Sequence, residues 1–162
     1  MFTLILVKIA SILPRKLAKY LYIYMGMKIG TNSRIFHGFY INRPKGFQIG
    51  ENSFCNYGVS CHLGAQSTSD LIIGDEVAVG PQVTFICSTH EIGDENRRAG
   101  FDIQRSIIVE DGVWIGANAT ILPGVTIAKG CIIGAGTLVN KSTTPNGLYV
   151  GCPAKRIKDL DI

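Results

Sequence analysis

Val113-Trp-Ile-Gly-Ala-Asn-Ala-Thr-Ile-Leu-Pro-Gly-Val-Thr-Ile-Ala-Lys-Gly-Cys-Ile-Ile-Gly-Ala-Gly-Thr-Leu-Val139 decides the fold. Ile115, Ile121, Ile127, Ile133 and Val139 recur in it every six residues, and Ile103 and Val109 extend the grid backwards. This period is neither the roughly 3.6 of a helix nor the roughly 2 of an amphipathic strand. It belongs to a parallel β-helix, whose short strands stack coil on coil into a prism. Ile49, Cys55, Cys61, Ile73, Val79 and Phe85 fall on the same grid further upstream. Four residues after many grid positions stands a second apolar or small residue: Val59, Ala65, Val77, Val83, Val113, Ala119, Val125, Cys131, Thr137. Each hexapeptide thus turns one large and one small group inward, and stacking buries rows that a single coil leaves bare. Gly50, Gly74, Gly80, Gly116 and Gly134 follow the large residue, with Asn56 and Asn140 in the same slot; both residue types suit tight or positive-φ corners.

The 162 residues fit one domain, and a 46% hydrophobic content suffices for a continuous core. The net charge of +4 is unevenly spread. Residues 1–50 hold eight Lys and Arg and no Asp or Glu; the remainder hold eight basic and twelve acidic residues. The first 24 residues, MFTLILVKIASILPRKLAKYLYIY, are apolar with basic interruptions, and the run before Lys8 is far short of the ~20 residues that span a bilayer. They read as one or two short amphipathic helices broken near Pro14. Two roles are open to them: a cap on the open end of the solenoid, and a helix lying on an anionic membrane face.

Five cysteines show no metal spacing and no CxxC; Cys55, Cys61 and Cys131 take inward positions, while Cys87 and Cys152 fall off the pattern. An odd count without a disulfide framework suits a reducing cytoplasm. P-loop, GxGxxG and nucleic-acid-binding motifs are missing, so no nucleic-acid partner is expected.

The grid fails at Ser67, Glu91 and Arg97. The polar run Ser88 to Asp102 should leave the prism as an excursion loop around residues 88–102, and loops on a rigid scaffold are where function concentrates. It contains His90, placed just after an apolar strand. An imidazole there can act as a general base, oriented by Glu91, Asp94 or a backbone carbonyl. His37 and His62 raise a zinc site as an alternative. Their spacings of 25 and 28 residues are not local metal motifs, and the second histidine that the γ-class carbonic anhydrases carry five residues on is here Glu95. No metal is expected.

Four stretches carry a family resemblance: 49–57 (IGENSFCNY), 88–100 (STHEIGDENRRAG), 113–125 (VWIGANATILPGV) and 145–158 (PNGLYVGCPAKRIK). Through them the chain resembles the hexapeptide-repeat acyltransferases, closest to the branch of galactoside, maltose and nodulation-factor O-acetyltransferases. The resemblance implies a left-handed β-helix, a homotrimer with sites between subunits, and acetyl-CoA as co-substrate without a metal. His90 matches the family's catalytic histidine. Asn56 matches an acceptor-positioning asparagine, and His62 and Glu91 complete the candidate acceptor set. Ala117 and Ala135 match small residues whose backbone meets the pantetheine arm. Asn140, Lys141, Lys155 and Lys158 fall where relatives contact the nucleotide end of coenzyme A, although relatives often carry Thr and Arg where Asn140 and the two later lysines stand.

The chain is therefore expected to be an all-β solenoid: an N-terminal amphipathic helical segment over 1–28, a left-handed parallel β-helix over 29–154 and a C-terminal tail over 155–162. Its expected activity is acetyl-CoA-dependent O-acetylation of a sugar hydroxyl in cell-surface polysaccharide or glycan biosynthesis, with a glycan, lipid-linked or nucleotide-linked sugar as acceptor. The acid-free basic N-terminus and the aromatic supply around it (Tyr20, Tyr22, Tyr24, Phe36, Phe39, Tyr40, Phe47, and Tyr57 farther on) favour a glycan acceptor and a cytoplasmic protein touching the inner membrane face. Amino-sugar N-acetylation, a non-catalytic β-helix scaffold and the carbonic anhydrase type stay open as alternatives.

Overall fold

A computed structural model of the chain describes residues 2–65 and 69–160. Three parallel sheets form the faces of a prism. The first face carries Lys28–Ile29, Phe47–Ile49, Leu71–Ile73, Ile107–Val109 and Thr126–Ile127. The second carries Arg34–Ile35, Phe54–Cys55, Ala78–Val79, Trp114–Ile115, Ile132–Ile133 and Gly147–Val150. The third carries Tyr40–Ile41, Ser60–His62, Thr84–Ile86, Thr120–Ile121 and Leu138–Val139. Grid residues pair with one another from coil to coil: Ile49 with Ile73, Ile73 with Val109, Val109 with Ile127. The core is accordingly a set of inward ladders of Ile, Val, Cys and Phe, nearly all fully buried.

The corners divide the work differently from the expectation that the glycines after the large residue supply positive φ. Positive φ falls three residues after the grid position instead, at Asn32, Asn52, Glu76, Gln82, Asn118 and at Gly38, Gly58, Gly112, Gly124, Gly130 and Gly136. Gly116 is glycine for another reason: a Cβ there would meet the backbone nitrogen of Ala135 in the next coil at 2.6 Å. Close coil stacking, not a left-handed turn, forbids a side chain at this slot.

Several expectations are corrected. Ile103 is not a prism rung: it pairs with Thr89 in an antiparallel hairpin of Ser88–Ile92 and Ala99–Gln104. The polar excursion is thus two paired strands, and it satisfies its own backbone in that pairing. Ala65 is exposed, whereas Leu63 and Gly64 before it are buried; the off-grid Ser67 lies outside the described residues. Cys87 is fully buried although it falls off the grid, whereas Cys152 is exposed. Ile29, Ile35 and Ile41 form one coil more than the grid indicated, shifted in phase by the 3₁₀ turn at Pro44–Gly46. Lys155–Asp159 is a strand antiparallel to Gly147–Val150, so these tail residues continue the second face.

The N-terminal segment forms two helices, α1 (Phe2–Ile12) and α2 (Arg15–Tyr24), with Pro14 preceding the second. Pro fits there because the first helical N–H groups lack partners anyway. Val7, Ala10, Ala18 and Tyr22 are buried against the first coil, where Tyr22 meets Phe39 edge-on at 5.6 Å and Phe39 meets Phe47 at 5.5 Å. The helices therefore cap the prism, and these three aromatics are core rather than sugar-stacking surface. No helix among the described residues is long and apolar enough to cross a membrane.

Candidate active site

Two concavities hold half of the candidate site residues singled out in the sequence. The first is a groove of about 610 Å³ along the second face, where Asn56, Ala117 and Ala135 come together. Its walls are Phe54, Ala78, Trp114 and Leu148, and its floor passes over Gly80, Gly116 and Gly134. The absent side chains of the stacked corners thus produce a narrow apolar channel running parallel to the prism axis. Asn56 Oδ1 accepts the N–H of Tyr57 at 2.8 Å, which fixes the amide and leaves its NH₂ as a free donor. Trp114, 56% exposed, is a wall that the sequence reading left among the motif residues.

The groove ends at the C-terminal hairpin, where Lys158 stands opposite the groove residue Leu148 and Lys155 opposite Val150. The Arg156 guanidinium between them is consumed internally: it donates to Thr144 Oγ1 at 2.7 Å and to the Pro145 carbonyl at 3.1 Å, and its Nε donates to Asp159 at 2.7 Å. Lys155 and Lys158 are exposed and make no ion pair among the described residues, so their charge is available to an anion. Asn140 and Lys141 are exposed directly after the last rung of the third face.

The second concavity, about 510 Å³, lies in the projecting hairpin and is lined by His90, Glu91, Arg97, Phe101 and Asp102 among others. Asp94 Oδ1 accepts the N–H groups of Asn96 and Arg97 at 2.9 and 3.1 Å and shapes the tip, so it is not the partner of His90. That partner is the carbonyl of Gly100, 3.3 Å from His90 Nδ1. A carbonyl only accepts; Nδ1 must carry the proton, and Nε2 is then the basic nitrogen of the neutral ring. A backbone carbonyl supplied by an opposing strand leaves no residue-type signal, which is why the sequence could offer it only as one of three candidates.

His62 lies apart from both concavities, on the third face, with its ring 5.4 Å from that of Tyr40. His37 is beside Tyr57, ring centroids 6.5 Å apart. Among the described residues no cluster of three or more His, Cys, Asp or Glu is placed to hold a metal.

The site thus sits on a solenoid of stacked hexapeptides, with an apolar groove along its second face and a histidine-bearing hairpin standing off it. Residues 106–141 match the family model of the bacterial transferase hexapeptide (six repeats). The chain is 33% identical over 141 residues to the galactoside O-acetyltransferase of Lactococcus lactis subsp. lactis strain IL1403, covering 85% of this chain and 66% of that protein. It is 31% identical over 133 residues to the galactoside O-acetyltransferase of Escherichia coli strain K12, covering 82% and 64%. The chain thus spans somewhat under two thirds of the length of these curated relatives. Among solved structures, a hexapeptide-repeat acetyltransferase of Vibrio cholerae O1 biovar eltor complexed with acetyl coenzyme A superposes with a TM-score of 0.85 at 28% identity, over 96% of this chain and 84% of that one. A galactoside acetyltransferase in complex with coenzyme A gives 0.81 at 29% identity, over 90% and 71%. The chain belongs to the hexapeptide-repeat acyltransferase family, and its prism is the left-handed β-helix of that family.

Proposed function

We propose that the protein transfers an acetyl group from acetyl-CoA to a sugar hydroxyl, with His90 as general base. The observation that carries this reading is the Nδ1 contact to the Gly100 carbonyl, which frees Nε2 to take a proton. In a ternary complex Nε2 removes the hydroxyl proton as the oxygen attacks the thioester carbonyl. The backbone N–H of Ala117 stabilises the tetrahedral oxyanion. The carbon–sulfur bond then breaks, and the proton held on His90 passes to the departing thiolate, giving the acetyl ester and free coenzyme A. The thioester is reactive enough that neither a metal nor a covalent enzyme intermediate is required.

The pantetheine arm takes the apolar groove, passing Ala117 and Ala135, and Lys155 and Lys158 with Asn140 and Lys141 take the phosphates at its C-terminal end. Asn56 donates from its free NH₂ to the acceptor, and Glu91, beside His90 in the hairpin concavity, belongs to the proposed acceptor side. Coenzyme A complexes of two structural relatives support this donor. The sugar acceptor is supported by the galactoside O-acetyltransferase relatives, and we extend it to a cell-surface glycan precursor, lipid- or nucleotide-linked. The working unit is a homotrimer, in which the projecting hairpin, with Ile92 91% and Phe101 84% exposed, is covered by a neighbouring subunit. Five cysteines without a disulfide among them support a cytoplasmic protein, and the acid-free basic N-terminus supports a position beside the inner membrane face.

Thermal unfolding with and without acetyl-CoA and coenzyme A, together with the mass in solution, tests this. A ligand that binds only the native state raises the melting temperature. A mass of three chains and a rise with either ligand are expected; a folded protein with no rise would overturn the reading.

A further inference from the structure

The outward faces of α1 and α2 are apolar. Leu4, Ile5, Ile9 and Ile12 lie on one face of α1, and Leu17, Tyr20, Ile23 and Tyr24 on one face of α2; each is at least 41% exposed, Ile12 76% and Tyr24 81%. The inward residues of both helices already pack on the first coil. A helix capping a water-soluble protein turns polar residues outward; one with apolar residues on both faces has a second apolar neighbour. The charges beside this face identify that neighbour. Lys8, Arg15 and Lys16 are exposed within it, and the whole segment up to residue 50 contains no Asp or Glu. A cleft of about 240 Å³ at its rim is lined by Arg15, Lys16, Lys19 and Arg34. A second copy of this chain would bring the same cations against themselves, without a carboxylate in the segment to offset them. A surface of fixed negative charge with an apolar interior complements both features.

We infer that the outer face of α1 and α2 seats on an anionic lipid bilayer, with the apolar side chains at the level of the acyl boundary and the cations at the headgroup phosphates. At 11 residues α1 is too short to span and lies in the interface plane. Tyr20 and Tyr24 have the amphipathic rings that favour this depth. The inference rests on the membrane-side placement proposed above and not on the acetyl-transfer chemistry. Its consequence is orientation: the capped end of the prism faces lipid, and the groove, whose rungs stack away from α2 on the second face, runs outward from the bilayer.

Flotation of the full chain with vesicles of phosphatidylcholine, with and without phosphatidylglycerol, tests it. Binding to the anionic vesicles alone is expected at physiological salt. Lys8→Glu should weaken it about fivefold or more, the weight of one cation near such a surface. The pair Ile12→Glu and Leu17→Glu, both at exposed positions, should abolish it while circular dichroism and the coenzyme A thermal shift stay unchanged. Absence of binding by the folded wild-type chain would overturn the inference, and so would a mass that falls on Ile12→Glu and Leu17→Glu with vesicle binding intact, which would assign the face to a second copy. Vesicle binding without a coenzyme A shift would instead sink the acetyl-transfer reading and leave this one standing.

Discussion

His90 Nδ1 lies 3.3 Å from the carbonyl oxygen of Gly100, across the two strands of a hairpin that stands off the prism. The contact sets tautomer and ring orientation without a charged partner. If His90 is the base, His90→Ala removes the ~10²–10⁴-fold that general base catalysis supplies. We expect kcat to fall by that factor in a coupled thiol-release assay with a hydroxyl acceptor, while the melting temperature and coenzyme A binding are retained, because the side chain is exposed and outside the core. An undiminished kcat would remove His90 from the mechanism.

The C-terminal hairpin separates structural from available cations. Arg156 is engaged with Thr144, Pro145, Asn146 and Asp159, and its guanidinium sits 5.7 Å from the Tyr149 ring. Lys155 and Lys158, at the groove's end, make no ion pair among the described residues. The variant with both lysines replaced by Ala should raise KM for acetyl-CoA about tenfold at low salt, leave kcat unchanged, and flatten the dependence of KM on ionic strength, since exposed charge contacts contribute at most about 1 kcal/mol each and are screened. Arg156→Ala should instead lower the melting temperature. Equal KM for the wild type and the double variant would assign the phosphates to other residues.

The solenoid was legible because its signal is translational: Ile115, Ile121 and Ile127 repeat one environment, so the sequence repeats one answer. Reading failed where that symmetry breaks. Ile103 has the right residue type at the right spacing, yet strand pairing with Thr89 captures it, because the polar tip between Ile92 and Ala99 folds more readily on itself than into a coil. The phase of Ile29, Ile35 and Ile41 is lost through a three-residue turn at Pro44–Gly46. The candidate site was half legible. Asn56, Ala117 and Ala135 fall on the periodic lattice and meet in one groove, whereas the Gly100 carbonyl and the exposure of Trp114 depend on how the excursion and the second face are arranged in space.

Thr137 occupies the small inward position that elsewhere holds Val59, Val77, Val83, Val113 and Val125. Its Oγ1 is buried and has no hydrogen-bond partner among the described residues. A buried hydroxyl left unpaired costs about 1–3 kcal/mol, and Val has nearly its shape. Thr137→Val is therefore expected to stabilise by about 1 kcal/mol, a rise of roughly 2–4 °C in melting temperature for a chain of this size. A fall measured by circular dichroism or calorimetry would mean that the hydroxyl has a partner in solution, such as a water or a neighbouring subunit.

Cys55, Cys61 and Cys87 are fully buried in the core, and burial pushes their thiols up: Cys55 to about 12 and Cys87 to about 11, from an ordinary 9.0, with Cys61 also well above it. With Cys131 they are shielded, and Cys152 alone is exposed. A chromogenic disulfide reagent should therefore titrate one of the five thiols in the native protein and all five in denaturant. The same shifts fix a sign for stability. Above pH ~9 the unfolded chain loses thiol protons that the folded chain keeps, so it binds fewer protons and stability falls as pH rises. This contribution is complete below about 9 and is lost progressively toward 12. Melting temperatures should hold level from pH 7 to near 9 and then decline, and Cys55→Ala should make that decline shallower. A decline as steep in Cys55→Ala as in the wild type would show that the buried thiols do not set the alkaline limit.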